Sequence, residues 1–136
     1  MLNAIITAGG IPTEDESLYK YSLGESKALI DLGGKPMVQW IVDALDGSKH
    51  VNQIVIVGID ERAGLKSTKP LHYVDNQGGM LTNLKAGSDK AVSLNPEHEH
   101  ILLVSSDIPS LTTEIVNSVV ETTFDSDYDM YYNVIE

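Results

Sequence analysis

Residues 4–10 read AIITAGG. Ala4, Ile5, Ile6 and Thr7 run without polar alternation into Ala8-Gly9-Gly10. An unbroken apolar run closed by glycine reads as a strand buried on both faces. The pattern returns at Gln53–Val57 (QIVIV, closed by Gly58), Leu71–Val74, Ile101–Ser105 (ILLVS) and Met130–Ile135 (MYYNVI). Strands of this kind belong to a largely parallel sheet. Helical patterns lie between them. Pro36–Asp46 starts on a proline and stops at Gly47, with Val38, Ile41 and Leu45 at helical spacing. Met80–Val92 and Thr113–Thr123 carry similar stripes, and Glu114 lies where a helix dipole favours an acid. Alternating strands and helices predict a three-layer α/β fold, with helices on both faces of a mostly parallel sheet. Pro12–Gly24 lacks periodicity and reads as a mobile surface loop of the kind that covers sites.

The length of 136 residues suits one domain with one core. Twenty acids against nine bases give a net charge of −11. That balance argues against nucleic acid or an anionic membrane as partner, because both require a basic surface. It still allows a small anion met locally by lysines or a metal ion. The chain has no cysteine, hence no disulfide and no thiolate chemistry. No secretory leader and no long apolar span is evident, so a cytoplasmic protein is expected. A homo-oligomer stays open.

Open α/β sheets bind ligands beyond the carboxyl ends of their strands. Three such ends carry suggestive residues: Thr7-Ala8-Gly9-Gly10, Asp75-Asn76-Gln77-Gly78-Gly79 and Ser106-Asp107-Ile108-Pro109. The first is no dinucleotide fingerprint, since Ile11 and Glu14 stand where glycines are required. Nor is Gly34-Lys35 a P-loop, because Pro36 follows and Leu29 precedes. Alone, Ala8-Gly9-Gly10 reads first as a tight turn, although its small residues would let backbone N–H groups approach phosphate. In SKALIDLGGKPM (residues 26–37), Lys27 and Lys35 flank a short apolar stretch, and Lys35 immediately precedes a helix. A helix N-terminus attracts anions, and both lysines would strengthen such a site. Asp107 suits a hard cation such as Mg²⁺ and equally suits a turn or cap. His98 and His100 lack a third ligand at useful spacing. Asp125, Asp127 and Asp129 lack the glycine and glutamate of a calcium loop. Trp40 reads as a core or interface residue.

Taken in order, AIITAGG, SKALIDLGGKPMVQWIVDAL, IVIVG, DNQGGMLTNLKAG and ILLVSSDIP resemble one family. It is the MobA-like NTP transferases, the molybdenum cofactor guanylyltransferase type, related to sugar-1-phosphate nucleotidylyltransferases. The resemblance implies a Rossmann-like sheet of the nucleotide-diphospho-sugar transferase type. It implies transfer of a nucleotidyl group from a nucleoside triphosphate to a phosphorylated small molecule, with release of pyrophosphate. Ala8, Gly9 and Gly10 would lie under the nucleotide and Lys27 would pair with its phosphates. Asn76, Gly79 and Asn83 would lie near base and ribose. Asp107 would bind the catalytic Mg²⁺.

Two departures stand out. The family's first loop continues with further glycines and an arginine that grips the β- and γ-phosphates. Here Ile11-Pro12-Thr13-Glu14-Asp15-Glu16 stands instead, with Lys20 the candidate substitute. The family's chains also run on to a second metal-binding aspartate. The expectation is therefore a nucleotide-binding domain over residues 1–136, the N-terminal part of a longer transferase domain and incomplete at its C-terminus. A non-catalytic nucleotide or nucleotide-sugar binding domain is the alternative.

Overall fold

The computed structural model of the chain describes residues 1–134 and is built around a central strand, β1 (Leu2–Thr7). In chain order there follow α1 (Tyr19–Ser22), β2 (Asp31–Leu32), β3 (Lys35–Pro36), α2 (Met37–Asp46), β4 (Val51–Val57), β5 (Leu71–Val74), α3 (Met80–Leu94), β6 (Ile101–Ser105) and α4 (Thr113–Thr123). The main sheet has the order β5-β4-β1-β6, and all its pairings are parallel. This is the architecture that the continuous apolar runs predict.

Register explains why the central strands tolerate no polar alternation. Ile5 lies opposite Val55 on one side and Leu103 on the other. Side chains alternate between faces, and each face meets helices. Ala4, Ile6, Ile54 and Ile56 pack with Val38, Ile41 and Leu45 of α2 and Val116 and Val120 of α4. Ile5, Val55 and Val57 pack with Ala91 of α3 on the opposite face. Ile5, Ile6, Ile54 and Ile56 are fully buried, and burying each such side chain contributes roughly 1.5–3 kcal/mol.

Local signals set most boundaries. Thr112 Oγ1 accepts from Ile115 N at 3.3 Å and starts α4. α2 starts at Met37 and not at Pro36, because Pro36 pairs with Asp31 in a hairpin with Leu32 and Lys35. Gly33 and Gly34, at φ 67° and 92°, supply the two left-handed residues that a two-residue hairpin turn requires. Trp40 Nε1 donates to Leu32 O at 2.8 Å and fastens this hairpin to α2.

The expected last strand over Met130–Ile135 does not form through Val134, and Ile135 lies outside the described residues. Instead, Tyr131 Oη donates to Ser126 O at 2.9 Å and accepts from Tyr128 N at 3.2 Å. The tyrosine folds the segment back on the end of α4, so its β-prone residues gain no neighbouring strand. The loop from Pro12 to Gly24 is largely exposed and contains the short α1. Among the described residues no helix is long and apolar enough to cross a membrane.

Candidate nucleotide site

After β1 the chain pairs outward through β4 and β5, then returns to the other side of β1 as β6. The connections leaving β1 and β5 lead to α2 and α3 on opposite faces of the sheet, which opens a crevice at the carboxyl edge. A cavity of about 570 Å³ lies there, lined by Gly9, Gly10, Lys27, Asn76, Gly79 and Asn83 among others. That is within the usual size of small-ligand sites. The three strand ends picked out in the sequence do converge on one edge.

The loop leaving β1 has its carbonyls committed and its amides free. Ala8 O accepts from Ser26 Oγ at 2.5 Å, Gly9 O from Asn76 Nδ2 at 3.0 Å and Gly10 O from Lys27 N at 2.9 Å. The N–H groups of Gly9, Gly10 and Ile11 donate to no described residue. Three successive amides beside a cavity suit an anion. Gly58 makes room for this loop. Its φ is 106°, and a Cβ there would lie 2.3 Å from Gly9 Cα. Only glycine meets both demands.

Asn76 and Asn83 are committed to the walls. Asn83 Nδ2 donates to Asn76 Oδ1 at 3.1 Å, and Asn83 Oδ1 accepts from Gln77 N at 2.6 Å. Asn83 is buried. Asn76 Oδ1 also accepts from Gly78 N at 2.9 Å. The two amides thus tie the loop after β5 to Gly9. Gly79 precedes the first residue of α3, whose N-terminus has no side-chain cap. Gly78, Gly79 and Met80 line the cavity, so the free N–H groups and positive dipole end of a 15-residue helix lie beside it.

Lys27 arrives on a one-turn 3₁₀ segment, Lys27–Leu29, whose start is capped by Ser26. Asp107 follows β6 by two residues. Lys27 Nζ donates to Asp107 Oδ2 at 2.9 Å, and the Ser105 hydroxyl donates to Oδ1. These bonds, Ser105 first and Lys27 second, hold the Asp107 carboxyl below its ordinary pKa of 3.8. The carboxylate is ionised at neutral pH. Among the described residues no three His, Asp or Glu side chains gather as a metal cluster.

Lys35 goes elsewhere. It pairs with Asp43 of α2, and Nζ lies 3.7 Å from the centroid of the Trp40 ring. No residue of α2 lines the cavity. The helix N-terminus at the site is therefore that of α3, signalled in the sequence by Gly78-Gly79 ahead of an amphipathic run. Ala8 does not line the cavity; its side chain is buried in the core. Lys20 lies 4.8 Å above the Tyr21 ring and lines no part of the cavity. The acidic stretch closes on itself: Thr13 N donates to Glu16 Oε2 at 2.6 Å, and Thr13 Oγ1 donates to Asp15 Oδ1 at 2.5 Å. Thr7, Ile11, Ser105 and Ser106 also line the cavity; Thr7 and Ser106 belong to the strand ends picked out in the sequence, but none of the four is named there as a site residue.

The model of the MobA-like NTP transferase domain matches residues 4–135. The chain belongs to the MobA-like NTP transferase family. Among curated proteins, this family member is similar to the bifunctional protein GlmU of Thermoanaerobacter pseudethanolicus, at 32% identity over 92 residues. That match covers 64% of the chain and 19% of GlmU. A hypothetical transferase from Thermus thermophilus is 30% identical, with a TM-score of 0.65 over 90% of the chain and 47% of that protein. The 4-diphosphocytidyl-2C-methyl-D-erythritol synthase of Anaerococcus prevotii shares the fold, at 18% identity and a TM-score of 0.68. It is matched over 89% of this chain and 49% of its own. This MobA-like domain thus spans about half the length of those solved structures and about a fifth of GlmU.

Proposed function

We propose that the chain is the nucleotide-binding part of a Mg²⁺-dependent nucleotidyltransferase. A phosphate oxygen of a small acceptor, of the sugar-phosphate class, attacks the α-phosphorus of a nucleoside triphosphate. A new P–O bond forms, the bond to the β-bridging oxygen breaks, and pyrophosphate leaves. One observation carries this reading: the Lys27 ammonium and the Asp107 carboxylate, 80 residues apart, meet at 2.9 Å beside a loop with three unused amides.

The residues fit a magnesium ion. Mg²⁺ commonly takes one or two protein carboxylates and completes its shell with phosphate oxygens and water. Asp107 is one ionised carboxylate; it does not itself line the cavity, but its bonding partners Lys27 and Ser105 and its neighbour Ser106 do. The ion would supply charge neutralisation at the transferring phosphoryl group. Lys27, whose ammonium lies beside Asp107, would neutralise phosphate oxygens next to the ion. The amides of Gly9, Gly10 and Ile11 and the N-terminus of α3 orient the triphosphate, and none must reorganise as charge develops.

The test is pyrophosphate release by the intact protein from GTP, CTP, UTP or ATP with a panel of sugar phosphates. Asp107→Ala and Lys27→Ala should each lower turnover by roughly 10²–10³-fold, the cost of losing one transition-state contact, while the melting temperature moves little. Wild-type rates in both variants refute the assignment.

A second reading, a non-catalytic nucleotide or nucleotide-sugar binder, is favoured by the acidic turn Thr13–Glu16 and by the position of Lys20. Neither supplies a cation for the β- and γ-phosphates. A nucleotide-induced rise in melting temperature without pyrophosphate release would select it.

A further inference from the structure

Lys27 and Asp107 are the two groups on which the proposed reaction leans most, and each is engaged by the other. Their backbones are fixed. Lys27 N donates to Gly10 O at 2.9 Å, and Ser106 N, next to Asp107, donates to Thr7 O at 3.3 Å. Only the side chains are free to exchange partners, and they are partly exposed, at 34% and 42%. An ammonium has three N–H donors, so geometry does not forbid sharing. The obstacle is electrostatic. While the pair is intact, it presents almost no net charge to an arriving triphosphate.

We propose that the Lys27–Asp107 contact is an autoinhibitory latch that makes binding of a divalent cation and of a nucleoside triphosphate mutually dependent. The proposal rests on the nucleotidyltransferase reading above. When Asp107 turns to a cation, the charge of Lys27 is released for phosphate. When Lys27 turns to phosphate, Asp107 Oδ2 is released for the cation. Linkage requires the two effects to be equal. An exposed ion pair of this kind corresponds to roughly a two- to five-fold change in affinity.

The experiment is a double-mutant cycle on the 136-residue chain. Dissociation constants for GTP, CTP, UTP and ATP are measured in EDTA and in MgCl₂ for wild type, Asp107→Asn, Lys27→Met and the double variant. Thermal-shift titrations carried to millimolar ligand keep weak binding measurable. The latch predicts that Asp107→Asn binds metal-free triphosphate roughly two- to five-fold more tightly than wild type. It predicts no such gain in the Lys27→Met background. An equal gain in both backgrounds means that Asp107 simply repels phosphate; that overturns the latch and leaves the site standing. Absence of any gain overturns it too. If wild type binds no triphosphate in either buffer, the latch and the site reading fall together.

Discussion

Two aspartates show how one electrostatic outcome can serve opposite ends. Asp46 closes α2, and Asp107 follows β6. Both carboxyls lie below their ordinary pKa. Burial pushes Asp46 up, but bonds from Thr68 N, Ser67 Oγ, Thr68 Oγ1 and Lys69 N outweigh it. Lys69 Nζ then crosses to Ser48 O at 2.7 Å and to the carbonyls of Leu45 and Asp46. Two of the four donors to Asp46 are backbone amides, which cannot turn away. Asp107 is held chiefly by two side chains, Lys27 and Ser105, which can. A carboxylate fixed by amides is architecture. One fixed by rotatable donors remains available to a ligand.

The contrast breaks most severely at Gly58, which supports the site from behind. Gly58→Ala should cost about 3 kcal/mol, since it adds left-handed strain to a backbone clash. Thermal unfolding should drop by roughly 10 °C, and any nucleotide-induced shift should vanish with the displaced loop. Asp46→Asn comes next, at about 1–2 kcal/mol for the weakened hydrogen bonds, with nucleotide binding unchanged. Asp107→Asn should show the reverse: little change in stability, and loss of Mg²⁺-dependent nucleotide binding.

Acid titration sharpens the same contrast. Both folded-state values are depressed, so both contributions are complete above the unfolded value of 3.8 and vanish as pH falls through the folded values. Melting temperature should therefore hold between pH 7 and 5 with respect to these two groups and fall below about 4. Asp46→Asn should flatten that acid limb more than Asp107→Asn, whose pair is more exposed. Lys35→Ala is the smallest change, within about 0.5 kcal/mol and silent in nucleotide binding. A marked loss of affinity there would restore Lys35 to the site.

The sequence carried the sheet because its strands are buried on both faces, and burial writes itself as unbroken apolar runs. Gln53–Val57 and Ile101–Ser105 were legible for that reason, although β4 starts earlier, at Val51. Short polar elements are written more faintly. The hairpin at Asp31–Pro36 rests on Gly33-Gly34 and a single pairing ladder; Lys35 does precede α2, but its side chain turns to Asp43 and Trp40 and not to the cavity. MYYNVI has strand-forming residues, but whether they pair depends on neighbours that local sequence does not name. In the site, Lys27 and Asp107 were legible through the family resemblance and the strand ends. The internal roles of Asn76 and Asn83 were not, because an amide that binds a loop and one that binds a ligand look alike in sequence.

The bond from Asn76 to Gly9 joins the wall after β5 to the wall after β1. That bond favours movement of the two walls together, like the fixed jaw of a vice. The adjustable jaw is the corner beyond β6, where one rotation of a lysine or an aspartate changes the contour. Any tightening around a bound molecule would start from that side.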